Sequence, residues 1–223
     1  MADLSDAYHA TRERIGGLVR GLDEKALATR VPACPDWDVH DLLAHVSGMP
    51  EAIAAGDLPG DDLQAWLDGL VAQRTGVPVD ELLDRWAACA DATSALIDGG
   101  VDLILIDVVC HEHDLRGAIG QPGERGSPEV RAIVQSQLEA LVPGMKERGI
   151  GALVVDAEGI QWASHLAKPG CTLRVDPWEA SRVLESRRTA EEIRALPHSG
   201  DVEPYIEIIA EHLPLPVAPL GER

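Results

Sequence analysis

The chain has 223 residues, 45% of them apolar, which is enough for one large hydrophobic core or two smaller ones. Aspartate and glutamate number 38 against 19 lysines and arginines, so the formal net charge is −19. Such a surface repels phosphate backbones and anionic membranes, which predicts that neither nucleic acid nor a membrane is a partner. The chain starts without a basic and apolar leader, and its four cysteines are scattered, so we expect a cytoplasmic protein with free thiols.

The first half of the chain has apolar residues at helical spacing. Between its first two helices, the proline-containing segment 31–38 is expected to form an ordered turn that Trp37 anchors in a core. Asp38 is the expected N-cap of the next helix, with Asp41 at the N3 position. His45, one turn later, borders the apolar face, where a histidine is either a buried structural residue or a metal ligand. The predicted helices cover residues 5–22, 39–53, 63–71 and 82–97.

The segment 101–120 contains a dense group of ionisable residues. Its first half has the β-branched content of a buried strand, whereas its second half does not alternate and favours a helix. As one helix, it places Asp107 and His111 on one face, with Asp114 one turn further on, beside an apolar stripe. Burying an unpaired carboxylate is costly, and a bound cation would remove that cost. This face is therefore a candidate half of a metal site.

The neighbouring ionisable residues lie on other faces of such a helix. His113 is about 200° from His111, so we predict it on the opposite, solvent-exposed side. Glu112 lies sideways and is expected to be solvated, and Cys110 is about 100° from His111, so we do not assign it as a ligand. The helix therefore offers Asp107 and His111 to a cation.

His45 can supply the other half of the site. Facing helices in a bundle approach to about 8–10 Å between their axes, so their side chains can converge on one cation. Two histidines and a carboxylate, with one open position, form the ligand set of catalytic zinc and of non-haem iron. The sequence therefore predicts a metal site of His45, Asp107 and His111, with Asp41 and Asp114 as acceptors that orient the imidazoles. The alternatives are a buried polar cluster without metal and, for the two acceptors, ordinary surface charges.

In the second part of the chain, the residue pattern changes from helical spacing to short strands and turns. Ser127 and Pro128 predict the start of one more helix, which breaks near Pro143. After Gly149, we predict strands at 152–156, 160–167 and 171–175 and helices at 177–187 and 204–212. The predicted fold class is α plus α+β, with a helical bundle in residues 1–148 and a small α+β domain in residues 149–223. No nucleophile elbow, phosphate loop or dinucleotide fingerprint occurs, and nothing in the sequence pairs Cys34 with a histidine.

Two motifs resemble those of a known family. The sequences VPACPDWDVHDLLAHV (31–46) and DVVCHEHDLRGAIG (107–120) resemble the metal-binding motifs of the mycothiol-dependent maleylpyruvate isomerase family, within the DinB-like metal-binding four-helix-bundle superfamily. Segments 187–196 and 200–205 resemble that family's C-terminal domain, a small sterol-carrier-like α+β fold. The resemblance implies a DinB-like bundle in which segment 101–120 is helical.

The resemblance also implies a chemistry. It implies a divalent metal, usually zinc, held by His45, Asp107 and His111, where the family commonly has glutamate in place of Asp107. Aspartate is one methylene shorter, which reduces its reach by about 1.5 Å. The implied cofactor is mycothiol or a similar low-molecular-weight thiol, bound as a thiolate. The implied partner is a small-molecule substrate, whose carboxylates an arginine of the C-terminal domain contacts, and Arg187 and Arg188 are the candidates.

Three functions stay open at this point. The first is a metal- and thiol-dependent isomerase or transferase that acts on a small organic acid or electrophile. The second is a non-catalytic binding or regulatory protein that keeps the fold. The third is a metal hydrolase that uses bound water and no thiol. The assembly stays open between a monomer and a homodimer.

Overall fold

The structure is a computed structural model that describes residues 4–157 and 159–222. These residues form two compact units. The N-terminal unit extends to Gly123 and includes Glu222, and the C-terminal unit comprises Glu124–Gly221. The predicted fold class is confirmed, because helices build the first unit and a small sheet with helices builds the second. Within the described ranges, no helix is both long and apolar enough to span a membrane.

The N-terminal unit is a helical bundle with a short antiparallel hairpin. Helix α3 packs against α4, α5 and α6, while α1 packs against α5 and α6. The helices are α1 (Leu4–Val19), α2 (Glu24–Leu27), α3 (Val39–Ala54), α4 (Leu63–Ala72), α5 (Val79–Asp98) and α6 (Leu103–Ile119), and the hairpin strands are β1 (Arg30–Val31) and β2 (Cys34–Asp38).

Local signals set the ends of α3 and α6. The Asp38 carboxylate accepts a hydrogen bond from the Asp41 amide, and the Asp41 carboxylate accepts one from the Asp38 amide, which makes a capping box. Segment 103–119 is one helix, so its strand alternative is excluded. Helix α6 ends at Gly120, whose left-handed φ of 66° suits glycine.

The C-terminal unit is an α+β module. Its four-stranded sheet has the order β4-β3-β5-β6, in which β3 and β5 are parallel and the two outer pairs are antiparallel. The strands are β3 (Ala152–Ala157), β4 (Ile160–Ala163), β5 (Pro169–Leu173) and β6 (His198–Gly200). The helices are α7 (Pro128–Ala140), α8 (Val142–Arg148), α9 (Pro177–Leu184), α10 (Ala190–Ala195) and α11 (Glu203–His212).

The boundary between the units differs from the one predicted at residue 148. Helices α7 and α8 group with the sheet, because Val134, Leu138 and Met145 are part of the same buried core as β3 and β5. Pro143 does not break the chain but lies in the first turn of α8, where a proline costs no helical hydrogen bond. The predicted helices and strands do not include the short elements α2, β1, β2, α8, α10 and β6.

A buried arginine lies directly against a glycine of α3. The Arg74 guanidinium donates hydrogen bonds to the Leu70 carbonyl (2.9 Å) and to the Glu51 carboxylate (2.6 Å). A Cβ atom on Gly48 would lie 2.7 Å from Cζ and Nε of Arg74, which is closer than atoms pack. Gly16 of α1 is a contrast, because a Cβ there would make only ordinary contacts at 3.7–4.0 Å.

We therefore expect alanine to act in opposite directions at these two helical glycines. Gly48→Ala should lower the free energy of unfolding by about 1–2 kcal/mol, because losing hydrogen bonds of a charged group outweighs the ~0.5–1 kcal/mol that alanine gains over glycine in a helix. Gly16→Ala, the matched control, should raise the free energy of unfolding by about 0.5–1 kcal/mol. Urea unfolding measures both. Equal stabilisation by the two changes would contradict the contact between Gly48 and Arg74.

Candidate metal centre

The three predicted ligands meet between two packed helices. His45 comes from α3, and Asp107 and His111 come from α6. Nε2 of His45 lies 3.1 Å from Oδ1 of Asp107, and Nε2 of His111 lies 3.4 Å from the same oxygen. One ligand atom from each residue lies within 4.8 Å of the other two. Both histidines are buried.

This arrangement fits a divalent cation. Ligand bonds of about 2.0–2.2 Å in tetrahedral geometry separate neighbouring ligand atoms by about 3.3–3.6 Å, close to the two spacings observed. Asp107 therefore reaches both histidines although it is one methylene shorter than glutamate. Nδ1 of His45 and Oδ2 of Asp107 are buried and have no hydrogen-bond partner among the described residues. Unpaired buried polar atoms are uncommon in folded proteins, and an additional ligand on the carboxylate would account for Oδ2.

Electrostatic coupling keeps this centre charged when no cation is bound. Burial raises the pKa of Asp107, but the charges and hydrogen bonds of His45 and His111 outweigh it and hold that pKa well below its usual range. Burial lowers the pKa of His111, but the charge of Asp107 and hydrogen bonds with Asp107, Asp114 and Cys34 hold it well above its usual value. At neutral pH a cation must therefore displace a proton from His111.

The two acceptors predicted around the imidazoles lie in different places. Asp114 is buried, and Nδ1 of His111 donates to its Oδ2 at 2.9 Å, which leaves Nε2 of His111 for a cation. Asp41 instead belongs to the capping box of α3, because an N3 carboxylate reaches back to the N-cap amide. It is not the partner of His45, whose Nδ1 has no partner in the described part of the chain.

Trp37 lies beside the two imidazoles of the centre. Its half-buried ring has its centroid 4.7 Å from that of His45 and 6.2 Å from that of His111. Strand β2 holds Trp37 immediately before the capping box of α3, so the local structure that starts the helix also places the ring.

Cys34 belongs to the site, although the sequence did not pair it with a histidine. Its Sγ lies 3.9 Å from Oδ2 of Asp114, and Cys34, His111 and Asp114 form a second group whose ligand atoms lie within 4.8 Å of one another. Eighty positions separate Cys34 from Asp114, so no spacing rule predicts the contact. The hairpin that places Trp37 also places Cys34.

The predictions for Glu112 and His113 are wrong, because both side chains are buried. Glu112 accepts hydrogen bonds from Arg14 of α1 and from Arg116 of α6 at 2.8–3.1 Å. Helix α6 is covered on several sides by α1, α3 and the hairpin, so the face opposite His111 is also interior. A helical wheel assumes one buried face and cannot anticipate this.

The arginines predicted to contact a substrate lie in the C-terminal unit. The buried Arg188 guanidinium donates two hydrogen bonds to Glu179, at 2.7 and 2.9 Å, and lies 5.1 Å from the centroid of the Trp178 ring. Arg187 is half-buried and donates to the Glu185 carbonyl at 2.6 Å. A substrate carboxylate would have to compete with Glu179 for Arg188.

The N-terminal unit is thus a helical bundle with a buried centre of two histidines and one carboxylate, the kind of site that holds a metal ion in bundle proteins. Residues 8–102 match the family model of the mycothiol maleylpyruvate isomerase N-terminal domain. This match covers less than half of the chain and supports the family that the motifs indicated. The match includes His45 but ends before α6, so Asp107, His111 and the C-terminal unit lie outside it. No curated protein and no solved structure matches the chain significantly.

Proposed function

We propose that the protein is a metal-dependent enzyme that uses mycothiol or a similar low-molecular-weight thiol. Its reaction would be an isomerisation, or a transfer of the thiol, on a small organic acid or electrophile. The observation that carries this proposal is the convergence of the His45 and His111 imidazoles on one oxygen of Asp107. The family of the N-terminal domain supports it. The proposal keeps the cytoplasmic location predicted from the sequence.

The chain's own residues would bind and position the reactants. His45, Asp107 and His111 would hold the cation, with zinc as the first candidate, because imidazole and carboxylate are among its usual ligands. A bound zinc ion lowers the pKa of a coordinated thiol, so that the nucleophilic thiolate exists at neutral pH. Asp114 keeps the proton of His111 on Nδ1, which leaves Nε2 as the ligand atom.

The surroundings of the centre favour a thiol as the additional ligand. The Trp37 ring lies beside both imidazoles and would shield that side of the centre from water, and a thiolate is less strongly hydrated than a hydroxide ion. We keep both Arg187 and Arg188 as candidates for holding a substrate carboxylate. A guanidinium suits that role because its planar N–H groups pair with a carboxylate through two hydrogen bonds.

A cobalt-substituted protein tests the proposal. We expect mycothiol to produce a sulfur-to-cobalt charge-transfer band and to change the visible ligand-field bands, because its thiolate would coordinate the metal. S-methylated mycothiol, which cannot form a thiolate, should produce neither change. The experiment is best made with the Cys34→Ser variant, because a sulfur band can then come only from the added thiol.

The outcomes separate the three functions. Stoichiometric cobalt with a spectrum that ignores mycothiol would exclude the thiol mechanism and favour a hydrolase that uses bound water. If the protein held no stoichiometric metal and His45→Ala behaved like the wild type, the remaining function would be that of a non-catalytic binding or regulatory protein.

A further inference from the structure

A hollow of about 360 Å³ lies between α1 and α5, on helix faces that the metal centre does not use. The two helices run antiparallel, since Ser5 contacts Asp98 and His9 contacts Ser94. The hollow is near the end of α1 and the start of α5. It is lined by Arg12, Glu13, Gly16, Arg20 and Leu83.

Neither arginine of the hollow holds a carboxylate at hydrogen-bonding distance. The nearest acidic oxygen to Arg12 belongs to the exposed Glu13, at 4.0 Å, which is too long for a hydrogen bond. Nε of Arg12 is buried without a hydrogen-bond partner among the described residues. Arg20 is exposed and has no ion pair within the described part of the chain.

Four other arginines of the same unit hold a carboxylate at hydrogen-bonding distance. They form the pairs Arg14–Glu112, Arg74–Glu51, Arg85–Glu81 and Arg116–Glu112. Arg30 donates instead to the backbone carbonyl of Asp36. With 38 acidic residues against 19 basic ones, carboxylates are abundant. Arg12 leaves one buried N–H without an acceptor, and the exposed Arg20 holds no carboxylate, so an external anion in the hollow would supply a counter-charge to both.

The shape of the hollow agrees with a small ligand. Arg12 and Gly16 are four residues apart on one face of α1. Arg20 follows directly after the helix and continues this face, because its amide donates a hydrogen bond to the Gly16 carbonyl at 3.1 Å. Gly16 has no side chain to fill the hollow, and Nη1 of Arg20 lies 3.8 Å from the position that a Cβ atom on Gly16 would take. Leu83 forms the apolar wall of the hollow, and its Cδ2 lies 3.7 Å from the same Cβ position.

We propose that this hollow binds the oxyanion group of a small metabolite, a carboxylate or a phosphate, between Arg12 and Arg20, with its apolar part against Leu83. The proposal is independent of the metal centre and of the thiol chemistry.

The test is an NMR titration of the full chain with inorganic phosphate and, separately, with succinate. We expect saturable shifts centred on the amides of Gly16 and Leu83, and the tighter of the two probes identifies the class of anion. Arg20→Gln, an exposed position whose loss should not affect folding, should weaken binding about tenfold or more, because it removes a charge-assisted hydrogen bond. Arg12→Gln should do the same.

The matched control is Arg131→Gln, which removes one exposed arginine of α7 and should leave binding unchanged. Three results would overturn the proposal. They are no saturable shift at Gly16 or Leu83 with about 10 mM of either probe, shifts only around His45 and His111, or equal weakening by Arg131→Gln and Arg20→Gln.

Discussion

Asp107→Ala is expected to remove stoichiometric metal binding from the purified protein. Asp107 supplies the oxygen that lies 3.1 Å from the imidazole of His45 and 3.4 Å from that of His111, so its loss would leave the proposed site with two neutral ligands and no anionic one. The affinity for zinc should fall by more than the roughly 10–100-fold that the loss of an outer-shell partner costs. Elemental analysis and competition with a chromophoric chelator measure this loss.

Two variants of neighbouring residues complete this experiment. Asp114→Asn should weaken zinc binding by about 10–100-fold, because it removes the charged acceptor that orients His111 without removing a ligand. Cys34→Ser should leave the affinity almost unchanged. The opposite pattern, with metal lost in Cys34→Ser and kept in Asp107→Ala, would place the cation in the group of Cys34, His111 and Asp114.

The same titration should depend on pH in a defined direction. The folded protein raises the pKa of His111, so the imidazole is protonated at neutral pH and a cation must displace that proton. Zinc affinity should therefore fall as pH falls, by about tenfold per pH unit and per displaced proton.

The stability of the metal-free protein should also depend on pH. The raised pKa of His111 contributes its whole stabilisation below the unfolded pKa of about 6.5, and this contribution is lost as pH rises through the folded pKa. Between the unfolded and the folded pKa of His111, metal-free stability should thus fall as pH rises. Zinc-loaded stability should stay nearly constant there, because neither the zinc-bound nor the unfolded His111 carries a proton in that range.

Glu112→Gln should lower the free energy of unfolding by about 3 kcal/mol. Its fully buried carboxylate accepts five hydrogen bonds from Arg14 and Arg116, and removing one member of a buried ion pair costs about 3–5 kcal/mol. We expect the lower end of that range, because both arginine side chains keep some contact with water. Urea unfolding measures the change.

The matched control for Glu112→Gln is Glu81→Gln. Glu81 also pairs with an arginine, Arg85, one turn away on the same helix, but both side chains are exposed. Such a pair contributes about 0.3–0.5 kcal/mol, so the control should differ little from the wild type. If both variants lost a similar amount of stability, the contribution of the Glu112 ion pairs to the free energy of unfolding would not depend on their burial.

Several features could be predicted from the sequence because they rest on local chemistry. The capping box of Asp38 and Asp41 needs only two residues three positions apart. The shared face of Asp107, His111 and Asp114 follows from helical geometry, and the structure contains both the helix and the contact between His111 and Asp114. The residue pattern predicts the change from helices to an α+β module. It does not predict the boundary between the units, because the amphipathic pattern of α7 does not indicate which unit its apolar face packs against.

Other features depend on tertiary packing. Burial of Glu112 and His113 requires that α6 be enclosed on several sides, and the periodicity of one helix contains no information about its neighbours. The contact of Cys34 with Asp114 and the position of Trp37 beside the histidines depend on where the hairpin packs, which is a long-range property. The sequence by itself determined which side chains could form a metal centre, since ligand type and helical spacing are local. Only the tertiary structure decided that His45 reaches Asp107 and His111, because that convergence depends on how α3 and α6 pack together.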